Sequence, residues 1–214
     1  MKITKIEAQK RKGRVNIYVN DDFALGIDEE IMIKYNLKED MKIDDDFMEN
    51  ILLAEEENKA LNYALRLLSY RQRSEKEISD ALKRKGYMNK HIENVIASCL
   101  DKNYLNDKDF ARSFTNDKIN LNKYGPERIK HELLLKGVSK TIIDEVVDYD
   151  RDEQYELAKE VANKKINSYK NDKKRDIYRK MSGFLQRRGF SYDIISKVVR
   201  EILNEIDEKE ELND

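Results

Sequence analysis

The stretch LKRKGYMNKHIENVI begins at Leu82 and decides the fold, because its pattern occurs three times in this chain of 214 residues. The later copies are LLLKGVSKTIIDEVV from Leu133 and LQRRGFSYDIISKVV from Leu185. Each copy holds one glycine, and the three are 51 and 52 residues apart: Gly86, Gly137 and Gly189. A period near fifty residues predicts one folding unit that is used repeatedly.

Each copy has the pattern of a helix end followed by a helix start. Basic residues precede the glycine, where they suit the negative end of a helix dipole. The glycine can adopt the left-handed conformation that terminates a helix. A polar residue then follows that can cap the next helix: Asn89, Ser139 or Ser191. Apolar residues at three- and four-residue spacing continue that next helix.

A further helix precedes each copy, so each repeat is predicted to contain three helices. The segments are ALNYALRLLSYRQ at 60–72, KDFARSFTNDKIN at 108–120 and QYELAKEVANKKI at 154–166. Their alanines are 47 residues apart, which permits close helix crossing at equivalent places: Ala64, Ala111 and Ala158. Ser74 with Glu77 forms a capping box, and Pro126 suits the first position of a helix. The third repeat has NDKKRD at 171–176 instead and is the least regular.

The pattern of residues 1–46 predicts a small β-rich module. RVNIYV and FALGI alternate like strands around the turn formers NDD, which predicts a hairpin, and a short helix is expected over 28–36. The expected organisation is an N-terminal module at 1–46, a linking helix with repeat 1 at 47–104, repeat 2 at 105–150, repeat 3 at 151–206 and a frayed acidic tail at 207–214. Residues 47–68 form one long helix or two joined helices. The fold class is mainly α.

The charge is unevenly distributed, although the net charge is only −1. Residues 59–140 carry 18 basic and 10 acidic groups, a net +8, whereas residues 1–58 carry −6 and residues 141–214 carry −3. A positive middle favours a polyanionic or acidic partner. The single cysteine, Cys99, lies in an apolar stretch and is expected in the core. With no signal peptide and no apolar run of membrane-spanning length, the chain is expected in the cytoplasm.

No set of residues indicates catalysis. His91 and His131 lie in different repeats, and neither has a cysteine or histidine at metal-ligand spacing. No phosphate loop or dinucleotide fingerprint occurs. Acidic runs at 44–46 and 55–57 are typical of solvated helix starts and faces. The sequence therefore predicts a protein that is not an enzyme and that has no metal and no cofactor.

Two stretches resemble the RecX regulators of the bacterial recombinase RecA. They are LLSYRQRSEKEISDALKRKGY and YLNDKDFARSFTNDKINLNKYGPERIKHELLLKGV, and the second is the more specific. The resemblance covers about residues 59–206 and is weakest in repeat 3. It implies tandem three-helix repeats in a curved, elongated array without enzymatic activity. It also implies binding along the groove of the RecA–DNA filament, with a role in homologous recombination, DNA repair and the SOS response.

The resemblance and the basic middle suggest the residues that contact the partner or DNA. They lie in the matching motifs of repeats 1 and 2: Arg71, Arg73, Lys85, Arg112, Arg128, Lys130 and Lys136. For any single one of these, a solubilising or dipole-compensating role is the competing interpretation.

Three functions remain open from the sequence. The leading one is a monomeric regulator that binds the RecA–DNA filament and mostly inhibits RecA. The second is a helical nucleic-acid-binding protein that acts alone, which would need tight binding with a steep salt dependence. The third is a helical-repeat scaffold for another protein.

Overall fold

The computed structural model describes residues 1–148, 150–169 and 171–211, with the backbone alone for 207–211. The chain forms two compact units. The first unit contains Met1–Arg73 and Ile78–Leu105, and the second contains Ser74–Glu77 together with the described chain from Asn106 onward. The fold is mainly helical with a small N-terminal sheet, as predicted.

The N-terminal sheet is antiparallel and has the order β1-β2-β3, with β1 at Ile3–Ala8, β2 at Arg14–Val19 and β3 at Asp22–Asp28. Asn20 and Asp21 form the two-residue turn between β2 and β3 with φ of 49° and 74°. Positive φ at both positions matches the twist of a hairpin, and Asn and Asp tolerate it best after glycine. The predicted hairpin is therefore confirmed. A short helix α1, Glu29–Lys34, follows β3.

One helix, α2, runs unbroken over Asp45–Tyr70. Its first half packs Ile51 into the core of the sheet module, and its second half packs Ala60 and Ala64 into the core of repeat 1. The two alternatives for residues 47–68 are thus decided in favour of a single helix. This helix joins the sheet module to repeat 1 within the first unit.

Glu55 corrects the expectation of a solvated acidic face at 55–57. Its side chain is only 3% exposed and accepts a hydrogen bond from Arg14 Nη2 at 2.8 Å. The Asp28 amide donates to the other carboxylate oxygen, also at 2.8 Å. A buried carboxylate needs such partners, so Glu55 ties α2 to the ends of β2 and β3. Glu56 beside it is exposed, as expected.

Each repeat has three helices. In repeat 1 they are α2, α3 (Glu75–Arg84) and α4 (Asn89–Asp101). Repeat 2 contains α5 (Asp107–Asn120), α6 (Pro126–Leu135) and α7 (Lys140–Val146). Repeat 3 contains α8 (Arg151–Ile166), a 3-10 turn at Asn167–Tyr169, α9 (Lys174–Arg187) and α10 (Tyr192–Glu211). Helix α10 reaches Glu211 and so includes residues 207–211 of the tail expected at 207–214, whereas residues 212–214 lie outside the described chain.

The repeat pattern encodes packing and helix ends. The three equivalent alanines are fully buried, and so is Cys99. All three glycines have positive φ, at 88°, 82° and 91°. Ser139 caps α7 by accepting from the Ile142 amide, as predicted. Asn89 does not cap α4: the helix starts one residue earlier than expected, so Met88 occupies the cap position and Asn89 is already helical.

Candidate partner-binding face

Repeat 2 carries a row of alternating cationic and aromatic side chains where α5 faces α6. We call it the repeat-2 face, and its members are Phe110, Phe114, Lys118, Tyr124, Arg128, Glu132 and Lys136. The Arg128 guanidinium lies 3.7 Å from the centre of the Tyr124 ring, and Lys118 Nζ lies 4.9 Å from that of Phe114. Lys136 Nζ lies 5.3 Å from the Phe114 ring. Cations over aromatic faces are attracted by the ring quadrupole, so these contacts hold the row in place.

Glu132 lies at the centre of this face between two cations. Arg128 Nε and Lys118 Nζ both contact its carboxylate at 3.1 Å. Partial burial opposes ionisation of Glu132, but hydrogen bonds from Arg128 and Lys118 outweigh it and lower the pKa of this carboxyl. The charge of Arg128 is therefore largely compensated within the protein.

Lys136 takes part in a joint with the first turn of α3. The Ser74 hydroxyl donates to the Lys136 carbonyl at 2.7 Å, and the Lys136 ammonium donates to Glu77 at 2.8 Å. Ser74 also accepts from the Glu77 amide, which confirms that part of the predicted capping box. The start of α3 thus sits on the turn that ends α6, within the second unit.

An equivalent joint links the start of α6 to the turn that ends α9. The Gly125 amide donates to the Arg188 carbonyl at 2.8 Å, and the Glu127 amide donates to the Gly189 carbonyl at 3.1 Å. The Arg128 side chain donates to the Arg187 carbonyl. In both joints the start of a second helix covers the lysine- or arginine-glycine turn of the following repeat.

The other predicted residues occupy varied positions. In the first unit, Arg73 donates from Nε to the Leu67 carbonyl near the end of α2, and Arg71 is exposed and bonds the Gln72 carbonyl. Lys85 is exposed and lies 5.5 Å over the Tyr63 ring. In the second unit, Arg112 is exposed, contacts Asp109 at 3.4 Å and interacts electrostatically with Glu145, and half-buried Lys130 has no ion pair among the described residues.

Two acidic residues of this region were not identified from the sequence as functional. Glu132 follows Arg128 by four residues, the spacing of a favourable pair on a helix, and this signal was available. Glu77 meets Lys136 across 59 residues, so no local pattern could reveal their contact. Of the histidines, His91 is buried in α4 and His131 is exposed. Within the described chain, no group of three or more His, Cys, Asp or Glu side chains is placed to hold a metal ion.

Four family models match consecutive parts of the chain. They are the regulatory protein RecX N-terminal domain at residues 1–44 and the first, second and third three-helix domains of RecX at residues 60–99, 106–147 and 152–199. The regulatory protein RecX of Clostridioides difficile (strain 630) is 40% identical over 204 residues, which cover 94% of this chain and 96% of that protein. The chain belongs to the RecX family.

Other RecX proteins agree in sequence and in structure. The regulatory protein RecX of Bacillus thuringiensis (strain Al Hakam) is 36% identical over 98% of this chain and 80% of its own length. A crystal structure of regulatory protein RecX superposes with a TM-score of 0.81 at 31% identity, covering 92% of this chain and 98% of that one. The crystal structure of RecX from Lactobacillus salivarius gives a TM-score of 0.63 at 33% identity over 69% of this chain and 97% of that one. The three-helix repeats found here are therefore those of RecX.

RecX proteins are named as regulators, and this chain is accordingly a RecX-type regulatory protein. None of the helices described has both the length and the apolar composition needed to cross a membrane.

Proposed function

We propose that this RecX-family chain binds the RecA–DNA filament and modulates, mostly by inhibition, the recombinase and ATPase activities of RecA. The observation that carries the proposal is the match to RecX along the whole chain, from the N-terminal domain to the third three-helix domain. The protein acts as a monomer in the cytoplasm and as a binding protein without chemistry of its own.

The charge distribution supports a partner that contains DNA. Residues 59–140 have a net charge of +8. Affinity for phosphates sums many weak contacts, so a basic region counts as a whole rather than residue by residue. Lys85 and Arg112 are exposed members of this basic region, and so is Arg71.

The seven site residues divide into two groups in this proposal. Arg73, Arg128 and Lys136 are half-buried and bond groups four or more residues away in their own chain, so they position the surface. The remaining members are proposed to contact the filament: Arg71, Lys85, Arg112 and Lys130.

The test measures inhibition of the single-stranded-DNA-dependent ATPase of RecA by this chain. We expect the Arg112→Ala, Lys130→Ala double variant to need at least about tenfold more protein for half inhibition, because two phosphate or carboxylate contacts are lost at about 1 kcal/mol or more each. Arg179→Ala is the matched control. Arg179 in repeat 3 pairs with Asp176 at i,i+3 and 3.3 Å, as Arg112 pairs with Asp109, and is also exposed.

Two results would contradict the proposal. One is a folded wild-type protein that leaves RecA ATPase activity and filament length unchanged. The other is equal loss of inhibition in the Arg179→Ala control, which would show that general surface charge rather than the repeat-2 region is responsible.

Stand-alone nucleic-acid binding is the second candidate, favoured by unpaired cations at one end of α3. Lys83, Arg84 and Lys85 are exposed and have no salt bridge among the described residues. A gel-shift series without RecA distinguishes the two functions. Tight binding whose affinity falls steeply with salt would support the second candidate, whereas weak binding of free DNA combined with strong RecA inhibition supports the first.

A further inference from the structure

The three lysine- or arginine-glycine turns have the same backbone but differ in what covers them. Each glycine has φ between 82° and 91°. A Cβ built on Gly137 would lie 2.5 Å from Lys76 Cβ, and one on Gly189 would lie 2.4 Å from Arg128. A Cβ on Gly86 would have nothing within 4 Å. The turn of repeat 1 is therefore the uncovered counterpart of two covered ones.

The covered turns show what this element binds. Each receives the first turn of a helix, whose donors reach the carbonyls of the turn. Ser74 Oγ and Lys76 Nζ donate to the carbonyls of residues 136 and 135, and the amides of residues 125 and 127 donate to those of residues 188 and 189. At the Lys136 turn, a first-turn carboxylate of the incoming helix, Glu77, also pairs with the lysine.

The uncovered turn retains the same side-chain arrangement without the partner. Lys85 lies 5.5 Å over Tyr63, and Lys136 lies 5.9 Å over Phe110, which has the equivalent place in its helix one residue before the buried alanine. Lys136 is paired with Glu77, whereas Lys85 has no acidic partner among the described residues. Tyr87 is half-exposed, whereas the equivalent Val138 and Phe190 are buried.

The uncovered turn opens into a cleft of about 840 Å³ within the first unit. The lining includes Arg11 and Lys12 of the β1–β2 turn and Arg66 of α2. These three cations and Lys85 are exposed and have no salt bridge to any residue that the structure describes. With Arg14 and Lys59 the lining holds six cations against three carboxylates, Asp28, Glu29 and Glu30, so the cleft has an excess of positive charge.

Among the described residues, two helix starts can be considered as occupants of this cleft, and neither fits. The start of α1 lines it, but the Asp28 amide is bonded to Glu55 and the Glu29 amide to the Gly13 carbonyl, so these donors are already used. The start of α9 in a second copy of the chain carries the wrong charge to occupy this cleft. It carries Lys174 and Arg175, and its first-turn acid, Asp176, contacts Arg179.

We propose that the cleft at Lys85-Gly86-Tyr87 binds the N-terminal turn of a helix from a partner protein, with an acidic residue in that turn. The helix amides would donate to the turn carbonyls, and its carboxylate would pair with Lys85, as Glu77 pairs with Lys136. The inference is argued from the two covered turns, and it shares Lys85 with the residues proposed to contact the filament.

The test titrates the isotope-labelled full-length protein with a synthetic peptide of residues 73–84, RSEKEISDALKR, followed by NMR. We expect shifts of the Tyr63, Lys85, Gly86 and Tyr87 signals with a Kd on the order of 1 mM, since a short peptide must first become helical. Lys85→Glu should raise Kd at least tenfold. Lys83→Glu is the matched control, because it makes the same charge change two residues before Lys85 at a side chain that does not line the cleft. It should leave Kd within about twofold.

Several outcomes would overturn the proposal. One is that the peptide leaves the NMR signals of Lys85–Tyr87 unshifted, or shifts the signals of the Lys136 turn instead. Another is displacement of the peptide by an eight-nucleotide oligothymidylate that shifts the same signals and binds more tightly. That result would make the cleft a phosphate-binding site. A third is a dimer in sedimentation that Lys85→Glu dissociates, which would identify a second copy as the occupant.

Discussion

Gly125 and Gly189 are in direct backbone contact: a Cβ built on Gly125 would lie 2.4 Å from the carbonyl oxygen of Gly189. The neighbouring hydrogen bond from the Gly125 amide to the Arg188 carbonyl fixes this approach at 2.8 Å. Glycine is required here for space rather than for backbone conformation, since its φ of −76° suits any residue. The joint between repeats 2 and 3 is thus a contact of two backbones.

Replacing Gly125 by alanine is therefore expected to destabilise the second unit by about 1–3 kcal/mol, the usual cost of overpacking. Gly183→Ala is the control. Gly183 lies inside α9 and its added methyl group would meet only the flexible end of Arg187 at 3.3 Å. Alanine there should stabilise by up to about 1 kcal/mol. Urea unfolding followed by circular dichroism measures the free energy of unfolding of both variants. Equal effects of the two substitutions would contradict the close backbone contact at Gly125.

The turn glycines provide a second comparison. Gly86→Ala and Gly189→Ala impose the same left-handed strain of about 1–2 kcal/mol, because both glycines have φ near 90°. Only Gly189→Ala also forces a Cβ to within 2.4 Å of the Arg128 backbone nitrogen. We expect it to be the more destabilising by at least about 1 kcal/mol in thermal and urea unfolding. A larger cost at Gly86 would mean that the repeat-1 turn is covered in solution.

Glu55→Ala should be among the most destabilising single changes in the first unit. It leaves Arg14 and the Asp28 amide without their partner, and breaking a buried pair in this way costs about 3–5 kcal/mol. Its neighbour serves as the control: Glu56 is exposed and pairs with exposed Lys59, so Glu56→Ala should cost under about 1 kcal/mol. Equal unfolding midpoints for the two variants would show that Glu55 is solvated.

Glu132 should make the stability of repeat 2 depend on pH. Its pKa in the folded protein is lowered below the ordinary value of about 4.3, so its contribution is present above that value and is lost as pH falls through the folded pKa. Glu132→Gln should lower the melting temperature at pH 7, and the difference from wild type should shrink toward zero near pH 3. Glu93→Gln, an exposed change without a salt bridge among described residues, is the control and should give only a small difference at pH 7.

Local pattern was sufficient to predict the helices and the hairpin. Glycine with positive φ, proline at a helix start and alternating strand residues each act within a few residues, so Gly137, Pro126 and Asn20-Asp21 could be interpreted directly. Asn89 shows the limit of this reasoning. A residue type that favours the cap position gives the same local signal when it lies one position inside the helix, as Asn89 does.

Contacts between distant residues could not be predicted in this way. Glu55 and Glu56 are the same residue type on the same helix, and the burial and pairing of Glu55 depend on Arg14 and the Asp28 amide, 41 and 27 residues earlier. The joints are harder still, because they use backbone carbonyls, which every residue carries. For this reason Arg128 and Lys136 read as free basic residues in the sequence but hold the repeats together in the structure.

The direction of the joints has a consequence during synthesis on the ribosome. Ser74 can complete its hydrogen bond only after Lys136, 62 residues later, has been added. At about 5–20 residues per second the start of α3 therefore waits roughly 3–12 s for its partner. Repeats 1 and 2 therefore each remain unfinished until the glycine turn of the following repeat has left the exit tunnel.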